Sequence, residues 1–364
     1  MLDRREASFL AALHSLGFSH TSLRTLNKKH HSFQDAFLWF TSSDIPSSED
    51  SSNQTAREIL KKRDALDIQK ISDTLDRGHI WLIMNSDDEY PPLLKTLTRA
   101  PFFLYIKGNI PKTPFLSVVW SRKSTEYSRL VLEHLLPDAI RAGISVVSWG
   151  AAWVDALAHE ITMKYGWQTI AIFGTGINRV YPAHHKTLFA EIVTNGGAVL
   201  SPFPLDAAGM PYNFPVRNAI VAGMSRALLV TEAGKSSWTL ITASLALEYS
   251  REVFAVPGNI FSSLSIGTNG LLVRGEAKAI TRSEDILEEY AITAKQTSLD
   301  MPVMNTRFDP IEQKILDILG TSEGSLEYMI QSMDTPLPHI LAALGMLEIE
   351  GLIVRAGTGV YRMS

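Results

Sequence analysis

The sequence predicts an α/β fold: a doubly wound, mostly parallel sheet between a small N-terminal helical domain and a C-terminal winged-helix domain. The first observation is the length of 364 residues, which exceeds a typical single domain and favours two or three modules. The second is that short apolar runs alternate with amphipathic stretches from about residue 79 onward. A parallel sheet covered by helices on both faces produces this alternation. The third is that both ends of the chain carry helical patterns instead.

Residues 1–75 form the predicted helical domain, a small bundle that we expect to be SAM-like or helix-hairpin-helix-like. Apolar residues recur there at helical spacing and are interrupted near Gly17 and at Lys28-Lys29. A serine-rich polar stretch from Thr41 to Gln54 predicts a loop. Another helix, from about Ala56 to Arg77, then leads into the sheet.

Residues 77–290 form the predicted sheet domain. In such sheets, ligands bind in the loops beyond the carboxyl ends of the strands. We therefore expect the functional residues in the loops that lead from strands into helices. The predicted strands are Ile80–Ile83, Phe103–Ile106, Phe115–Val119, Ser145–Ser148, Thr169–Phe173, Ala198–Ser201, Ala227–Thr231 and Val253–Val256.

Residues 291–307 show no sustained period and predict a linker. Residues 308–364 then show three helical patterns and a strand pair that turns at Gly357-Thr358-Gly359, which indicates a winged helix. The third of these helices is rich in Leu and Ile and has no Lys or Arg. A helix that reads DNA needs donors for phosphates and base edges, so this one is predicted to pack or to bind a protein.

Composition and charge limit the possible functions. The chain is 45% apolar and 20% charged, as in ordinary globular proteins, and it has no cysteine, which excludes disulfides and thiolate metal sites. It has neither a long apolar run nor a signal-peptide pattern, so we expect a cytoplasmic protein without a membrane anchor. The net charge of −4 argues against a globally basic nucleic-acid binder. Residues 308–364 carry that deficit, with 3 Lys or Arg against 8 Asp or Glu, whereas residues 110–290 hold 15 of each.

Two strand-to-helix loops have the residues that suit a phosphate. One contains Ser121, Arg122 and Lys123 ahead of a helix, where free backbone N–H groups add to the side-chain donors. The other runs from Gly234 through Lys235 to Ser237. It is not a Walker A loop, because Leu229 stands where the first glycine would be. A solvated turn with ordinary surface charge is the alternative for the first loop.

Two further loops have weaker signals. Asp155 and His159 are four residues apart on a predicted helix, a spacing that suits a metal or an acid–base pair; a capping Asp and a packed His are favoured, and no metal site is predicted. Gly174 and Gly176 permit a backbone to approach a ligand, with Lys186 adding charge, but a structural turn explains them equally well.

Short motifs lie in order along residues 77–285. They include Tyr90-Pro91, Tyr105-Ile106-Lys107-Gly108-Asn109, Ser121-Arg122, Val154-Asp155, Ala158-His159, Tyr181-Pro182, Phe214-Pro215, Arg217-Asn218, Glu232-Ala233, Leu240-Ile241-Thr242-Ala243 and Gly267-Thr268-Asn269. Together they resemble the DNA-processing protein A family, also called Smf, which takes part in natural transformation.

This resemblance implies a Rossmann-like domain that binds and protects single-stranded DNA, forms a homodimer and helps to load the RecA recombinase. It implies no enzyme activity and no cofactor. Carried over by position, the residues that contact DNA are Ser121, Arg122, Lys123, Ser148, Lys186, Arg217, Asn218, Lys235 and Ser237.

The chain departs from the family pattern at four tryptophans and one alanine. Indoles stand in loops where the family has glycine, and Ala219 replaces an arginine. We expect the indoles to block or weaken the pocket. Two other interpretations are a platform on which bases stack and packing within the core. The four residues are Trp120, Trp149, Trp153 and Trp238.

Two other functions remain open at this stage. One is a nucleotide hydrolase of a related Rossmann-like type, although the Pro-Gly-Gly-x-Gly-Thr-x-x-Glu signature of those enzymes is absent. The other is a protein-interaction module whose DNA site has decayed, an idea that the apolar third helix of the predicted winged domain favours.

Overall fold

A computed structural model of the chain describes residues 2–45, 53–121, 125–150, 154–292, 310–320, 324–333, 335–349, 352–357 and 360–363. The chain divides into two compact units, Met1–Thr297 and Ser298–Ser364. None of the helices in the described ranges is long and apolar enough to cross a membrane.

The first unit begins with a helical bundle. Side-chain caps start its first three helices: Asp3, Ser19 and Ser32 each accept hydrogen bonds from backbone N–H groups of the following turn. The buried faces of these helices share one core with the sheet, in which Leu10 and Leu13 belong to the same cluster as Phe103 and Tyr105. The helices are α1 (Arg4–Ser15), α2 (His20–Lys29), α3 (Phe33–Trp39), α4 (Asn53–Ala65) and α5 (Ile68–Arg77).

A nine-stranded sheet follows, in the order β1-β2-β6-β5-β4-β3-β7-β8-β9. The seven strands from β6 to β9 in this order pair in parallel, and β1 and β2 add an antiparallel edge. The eight predicted strands are confirmed to within one or two residues, and only β9 was not predicted. The strands are β1 (Trp81–Met84), β2 (Phe103–Gly108), β3 (Phe115–Val119), β4 (Ser145–Trp149), β5 (Thr169–Ile172), β6 (Ala198–Ser201), β7 (Ala227–Val230), β8 (Glu252–Ala255) and β9 (Lys278–Ala279).

Helices cover both faces of this sheet, so it is doubly wound as predicted. On one face, α10 and α11 pack on apolar residues such as Val147 and Val230; on the other, α7 packs on residues such as Val118 and Leu229. The chain proceeds outward from β3 to β6 on one side and from β7 to β9 on the other, so the strand order reverses between β3 and β7. The helices are α6 (Pro92–Lys95), α7 (Glu126–Arg141), α8 (Val154–Lys164), α9 (Lys186–Thr194), α10 (Asn213–Met224), α11 (Trp238–Glu248), α12 (Ile266–Val273) and α13 (Glu284–Glu289).

The second unit has three helices and a small antiparallel sheet in the order β10-β12-β11. Its core includes Ile315, Met329, Ile340 and Leu344. The three predicted helices and the predicted strand pair are present, while β10 was not predicted. The elements are α14 (Pro310–Leu319), β10 (Gly324–Ser325), α15 (Leu326–Ser332), α16 (Leu337–Ile349), β11 (Ile353–Gly357) and β12 (Val360–Met363).

Candidate nucleic-acid interface

The predicted DNA-contacting residues lie on elements at the carboxyl edge of the parallel strands. Ser121 follows β3, Ser148 lies near the end of β4, and Lys235 and Ser237 lie between β7 and α11. Lys186 begins α9, and Arg217 and Asn218 lie in α10. The reversal of strand order between β3 and β7 opens toward this same edge, where ligands bind in doubly wound sheets. Arg122, Lys123 and Trp153 lie outside the described residues.

The Arg217 side chain is buried and stacked between aromatic rings. Its guanidinium carbon lies 4.6 Å from the ring centroid of Trp149 and 5.5 Å from that of Phe214, which are cation–π distances. Its Nε donates a hydrogen bond to Asn218 Oδ1 at 3.0 Å. Only 5% of Arg217 is exposed, so the aromatic rings, and not solvent, surround much of this cation.

Ser148 and Asn218 are fully buried. The Ser148 hydroxyl donates to the carbonyl oxygen of Val118 at 2.7 Å and so joins β4 to β3. Asn218 Nδ2 and Trp149 Nε1 are buried without a hydrogen-bond acceptor among the described residues. The α10 and β4 side of the edge therefore presents little polar surface from these residues.

The β7 and α11 side is different, because its polar residues are accessible. Lys235 is exposed and Ser237 is half-buried, and Lys186 at the start of α9 is exposed as well. Ser237 caps α11 by accepting a hydrogen bond from the Thr239 N–H at 3.2 Å. The ammonium groups can reach a phosphate here without any rearrangement of the core.

Three of the four tryptophans fall within the described residues. Trp120 and Trp149 are 3% and 5% exposed and belong to the cores on opposite faces of the sheet, which favours core packing over a base-stacking role for both. Trp238 is 39% exposed at the start of α11. None of the three has a positive φ, so replacing glycine introduces no backbone strain there.

Trp238 contacts one aromatic ring, and two exposed tyrosines lie on other loops of the carboxyl edge. Its ring centroid lies 6.3 Å from that of Phe214, which is in α10. Tyr212, at the N-terminal end of α10, is 70% exposed. Tyr181, in the loop before α9, is exposed too. Rings of this kind offer faces on which bases stack regardless of sequence.

Sequence reasoning missed the role of Glu232. It directly follows the first residue after β7 and is only 3% exposed. Its carboxylate accepts hydrogen bonds at the N-terminus of α7, from the Thr125 N–H at 2.9 Å and the Ser128 hydroxyl at 2.7 Å. This N-terminus was predicted to attract a phosphate, and a carboxylate of the chain itself occupies it. The separation of 107 residues between Thr125 and Glu232 hides the contact from any local motif.

His159 is a packed core residue, as favoured from the sequence. It is fully buried, and its Nδ1 lies 2.7 Å from Thr169 Oγ1. Burial lowers the pKa of His159 to about 4, although the carbonyl of Trp149 opposes the shift. The side chain of Asp155 lies outside the described part of the chain. His159 is therefore neutral at neutral pH.

The Gly174-x-Gly176 turn serves packing at its second glycine. A Cβ at Gly176 would lie 2.1 Å from the carbonyl oxygen of Pro204, so no larger residue fits. A Cβ at Gly174 would meet nothing nearer than the Phe214 ring at 3.8 Å. Close packing in a turn, and not approach to a ligand, therefore explains the glycine at position 176.

The family of the chain follows from its match to a known protein family. The family model described as DNA recombination-mediator protein A matches residues 81–291, more than half of the chain. The chain belongs to this family. The family is named for recombination mediators, which is the role that the sequence resemblance implied.

Individual members of the recombination-mediator family are similar over much of their length. Protein Smf of Escherichia coli is 33% identical over 79% of this chain and 79% of its own length. DNA processing protein DprA of Streptococcus pneumoniae is 36% identical over 56% of this chain and 72% of its own. Its X-ray structure matches with a TM-score of 0.64 at 28% identity, covering 79% of this chain and 98% of the solved one.

A second solved structure concerns DNA directly. DNA processing protein A of Helicobacter pylori matches with a TM-score of 0.52 at 26% identity, over 58% of this chain and 95% of that one. Its structure is described as giving insight into a unique single-stranded DNA binding mode of that protein.

Proposed function

We propose that this chain binds single-stranded DNA at the carboxyl edge of its sheet and helps to load RecA onto it during natural transformation. The observation that carries the proposal is the accessible half of that edge, where the exposed Lys235 lies in the loop between β7 and α11 and an exposed indole, Trp238, begins α11. Cations that track the backbone, combined with rings that stack on bases, characterise proteins that bind single strands without sequence preference. Membership of the family supports it.

The residues divide into three roles. Lys186 and Lys235, joined by Arg122 and Lys123, hold phosphates, with the hydroxyls of Ser121 and Ser237 as further donors. Trp238 and Tyr212 stack on bases. Ser148, Arg217 and Asn218 are buried, and we assign them to holding β4 and α10 in place beneath the bound strand.

Other parts of the proposal concern the cellular location, the oligomeric state and the domains of the protein. The protein acts in the cytoplasm as a homodimer and has domains at residues 1–75, 77–290 and 308–364. A linker is assigned to residues 291–307, of which 293–307 lie outside the described ranges. Exposed apolar residues near α12, including Phe261 at 91% and Val273 at 88%, support self-association. The order helix, strand, helix, helix, strand, strand supports a winged helix at the C-terminus.

The C-terminal domain contacts protein in this proposal. Leu337, Leu341 and Met346 are exposed on α16, and residues 308–364 hold 3 basic against 8 acidic residues. An acidic surface with exposed apolar side chains does not favour a phosphate backbone. This observation keeps a protein-interaction role as a second function of the same chain.

A titration with oligo-dT, followed by intrinsic tryptophan fluorescence at several salt concentrations, tests the proposal. We expect quenching on binding and an affinity that falls with salt. Four phosphate contacts on a single strand give a slope of log K against log[salt] of about −3. Absence of binding at low salt, where phosphate contacts are strongest, would refute DNA binding by this chain.

A further inference from the structure

Two histidines lie between the N-terminal bundle and the sheet. His14 of α1 and His20, the first residue of α2, have ring centroids 5.1 Å apart. Both rings contact the ring of Phe103 in β2, with 5.2 Å and 5.1 Å between centroids. The His14 ring also stacks on that of Tyr105 at 5.7 Å. Because Phe103 and Tyr105 are two residues apart on one strand, the pair joins both helices to the same aromatic face of β2.

The hydrogen bonding of His20 fixes its neutral form. Its Nε2 lies 2.8 Å from the carbonyl oxygen of Pro202, the residue after β6. A carbonyl only accepts, so Nε2 carries the ring proton and donates it. His20 is half-buried as a residue, but its Nδ1 is a buried atom without a partner among the described residues. A second proton on Nδ1 would create a buried, charged donor without an acceptor, which is costly.

His14 is kept neutral by a similar environment. It is only 6% exposed, and its Nδ1 lies 3.1 Å from the Tyr105 hydroxyl. Tyr105 is fully buried, and burial raises its pKa, so the phenol offers no negative charge to an imidazolium. Burial, and then the proximity of His20, hold the pKa of His14 well below its ordinary value of 6.5.

The charged groups around the pair do not favour its protonation either. Burial lowers the pKa of His20, the carbonyl of Pro202 opposes this shift, and the Arg24 cation one turn further along α2 adds to it. From the loop after β6, Asp206 adds to the effect of burial on the pKa of Tyr105. Asp206 is exposed, however, so water and salt screen its charge.

A proton can therefore be bound at low cost only when α1 and α2 move away from β2. In the docked bundle both rings are neutral, whereas an undocked bundle exposes them to water, where they bind protons below pH 6.5. The undocked state thus binds more protons. Docking should weaken as the pH falls below 6.5 and should not depend on this pair above it.

We propose that His14 and His20 form a proton-sensitive contact that controls the docking of the N-terminal bundle. The neutral pair holds α1 and α2 on β2, and protonation releases them while the rest of the sheet stays folded. Release exposes the aromatic face of Phe103 and Tyr105. This device does not depend on DNA binding at the carboxyl edge.

Hydrogen–deuterium exchange of the whole chain, measured by mass spectrometry and corrected for the intrinsic effect of pH on exchange, tests the release. The measured quantity is the equilibrium constant for the opening that exposes the amides of α1 and α2. Each histidine contributes up to about tenfold at one pH unit below 6.5. Between about pH 7.5 and about pH 5.5 we therefore expect a rise of more than tenfold and at most about 100-fold.

The His14→Gln, His20→Gln double variant has amides in place of the titrating rings, and the rise should disappear in it. An equal rise in the wild type and in this variant would overturn the proposal. If the double variant does not fold, His20→Gln alone serves, because its amide can still donate to the Pro202 carbonyl. It should show a rise of about tenfold, and an undiminished rise would contradict the proposal.

His159→Gln is the matched control, since His159 is a buried histidine of α8 and not of the bundle. If the bundle opens by itself, this variant should show the same rise for α1 and α2 as the wild type. A smaller rise would show that the bundle and the sheet unfold together, and the proposed release of the bundle alone would then be wrong.

Discussion

The two halves of the carboxyl edge use the same residue types in opposite ways. On the β4 and α10 side, Arg217 is stacked against aromatic rings and Asn218 is fully buried. On the β7 and α11 side, Lys235 and Trp238 are exposed. At family motif positions, the cation and the indole on the β4 and α10 side stabilise the fold. Those on the β7 and α11 side are available to a ligand. Substitutions on the two sides should therefore have different effects.

The largest expected effect is on stability, from the buried side. Trp149→Gly should lower the free energy of unfolding by about 3–5 kcal/mol, because it removes a large core side chain and the ring that supports Arg217. Trp238→Gly is the control and should cost about 1 kcal/mol, since it removes an exposed ring and adds glycine at a helix start. Urea unfolding measures both, and equal losses would abolish the distinction between the two sides.

The second effect is a dependence of stability on pH. Burial lowers the pKa of His159 to about 4, from 6.5 in the unfolded chain. The unfolded state therefore binds more protons between these values, and stability is lost as the pH falls from 6.5 toward 4. This group should contribute a loss of about 3 kcal/mol.

Unfolding of the wild type and of His159→Gln across that pH range isolates the contribution. The stability advantage of the wild type over the variant at neutral pH should shrink as the pH falls, because only the wild type loses this contribution in acid. His14 and His20, whose pKa values burial also lowers, remain in both proteins and cancel. Parallel curves would show that His159 does not titrate below its ordinary range.

The third effect is on DNA affinity, from the exposed side. Trp238→Ala should weaken oligo-dT binding by about 1–3 kcal/mol, the contribution of one stacked base. Its stability should change by less than that of Trp149→Gly. Trp39→Ala provides the control, because Trp39 is 69% exposed but belongs to the N-terminal bundle. Equal losses of affinity in the two variants would remove Trp238 from the interface.

The smallest effect is that of a single cation. Lys235→Gln should reduce the salt slope of binding by about 0.7 and alter the free energy of unfolding by no more than about 0.5 kcal/mol. Lys164→Gln is the matched control, since Lys164 is exposed in the last turn of α8, at the opposite edge of the sheet. An unchanged slope for Lys235→Gln would place that loop away from the phosphates.

The sheet could be predicted from the sequence because its strands are continuous apolar runs, a pattern that few other structures require. It missed β9, whose two residues, Lys278 and Ala279, are exposed and show no such pattern. For the candidate site, the motifs placed residues at the correct edge but could not give their exposure. Ser148 and Lys235 are both polar and both near strand ends. They differ in exposure only because neighbours that are distant in the sequence pack on one and not on the other.

The structure also revises the expectation for the tryptophans. The indoles were expected to block or weaken the pocket, with core packing as one of the alternatives. Trp120 instead points into the α7 core, and Trp149 packs beneath Arg217. Sequence alone could not give the direction of either ring, because a residue at a strand end can turn to either face of the sheet or to solvent.

The core shared by the N-terminal bundle and the sheet limits how the two parts of such chains can change during evolution. Phe103 and Tyr105 of β2 are covered by helices α1 and α2. A descendant that lost the bundle would have to replace these two aromatic residues with polar ones or acquire another cover. Exchange of the first 75 residues between relatives therefore succeeds only when the matching face of β2 is exchanged with them.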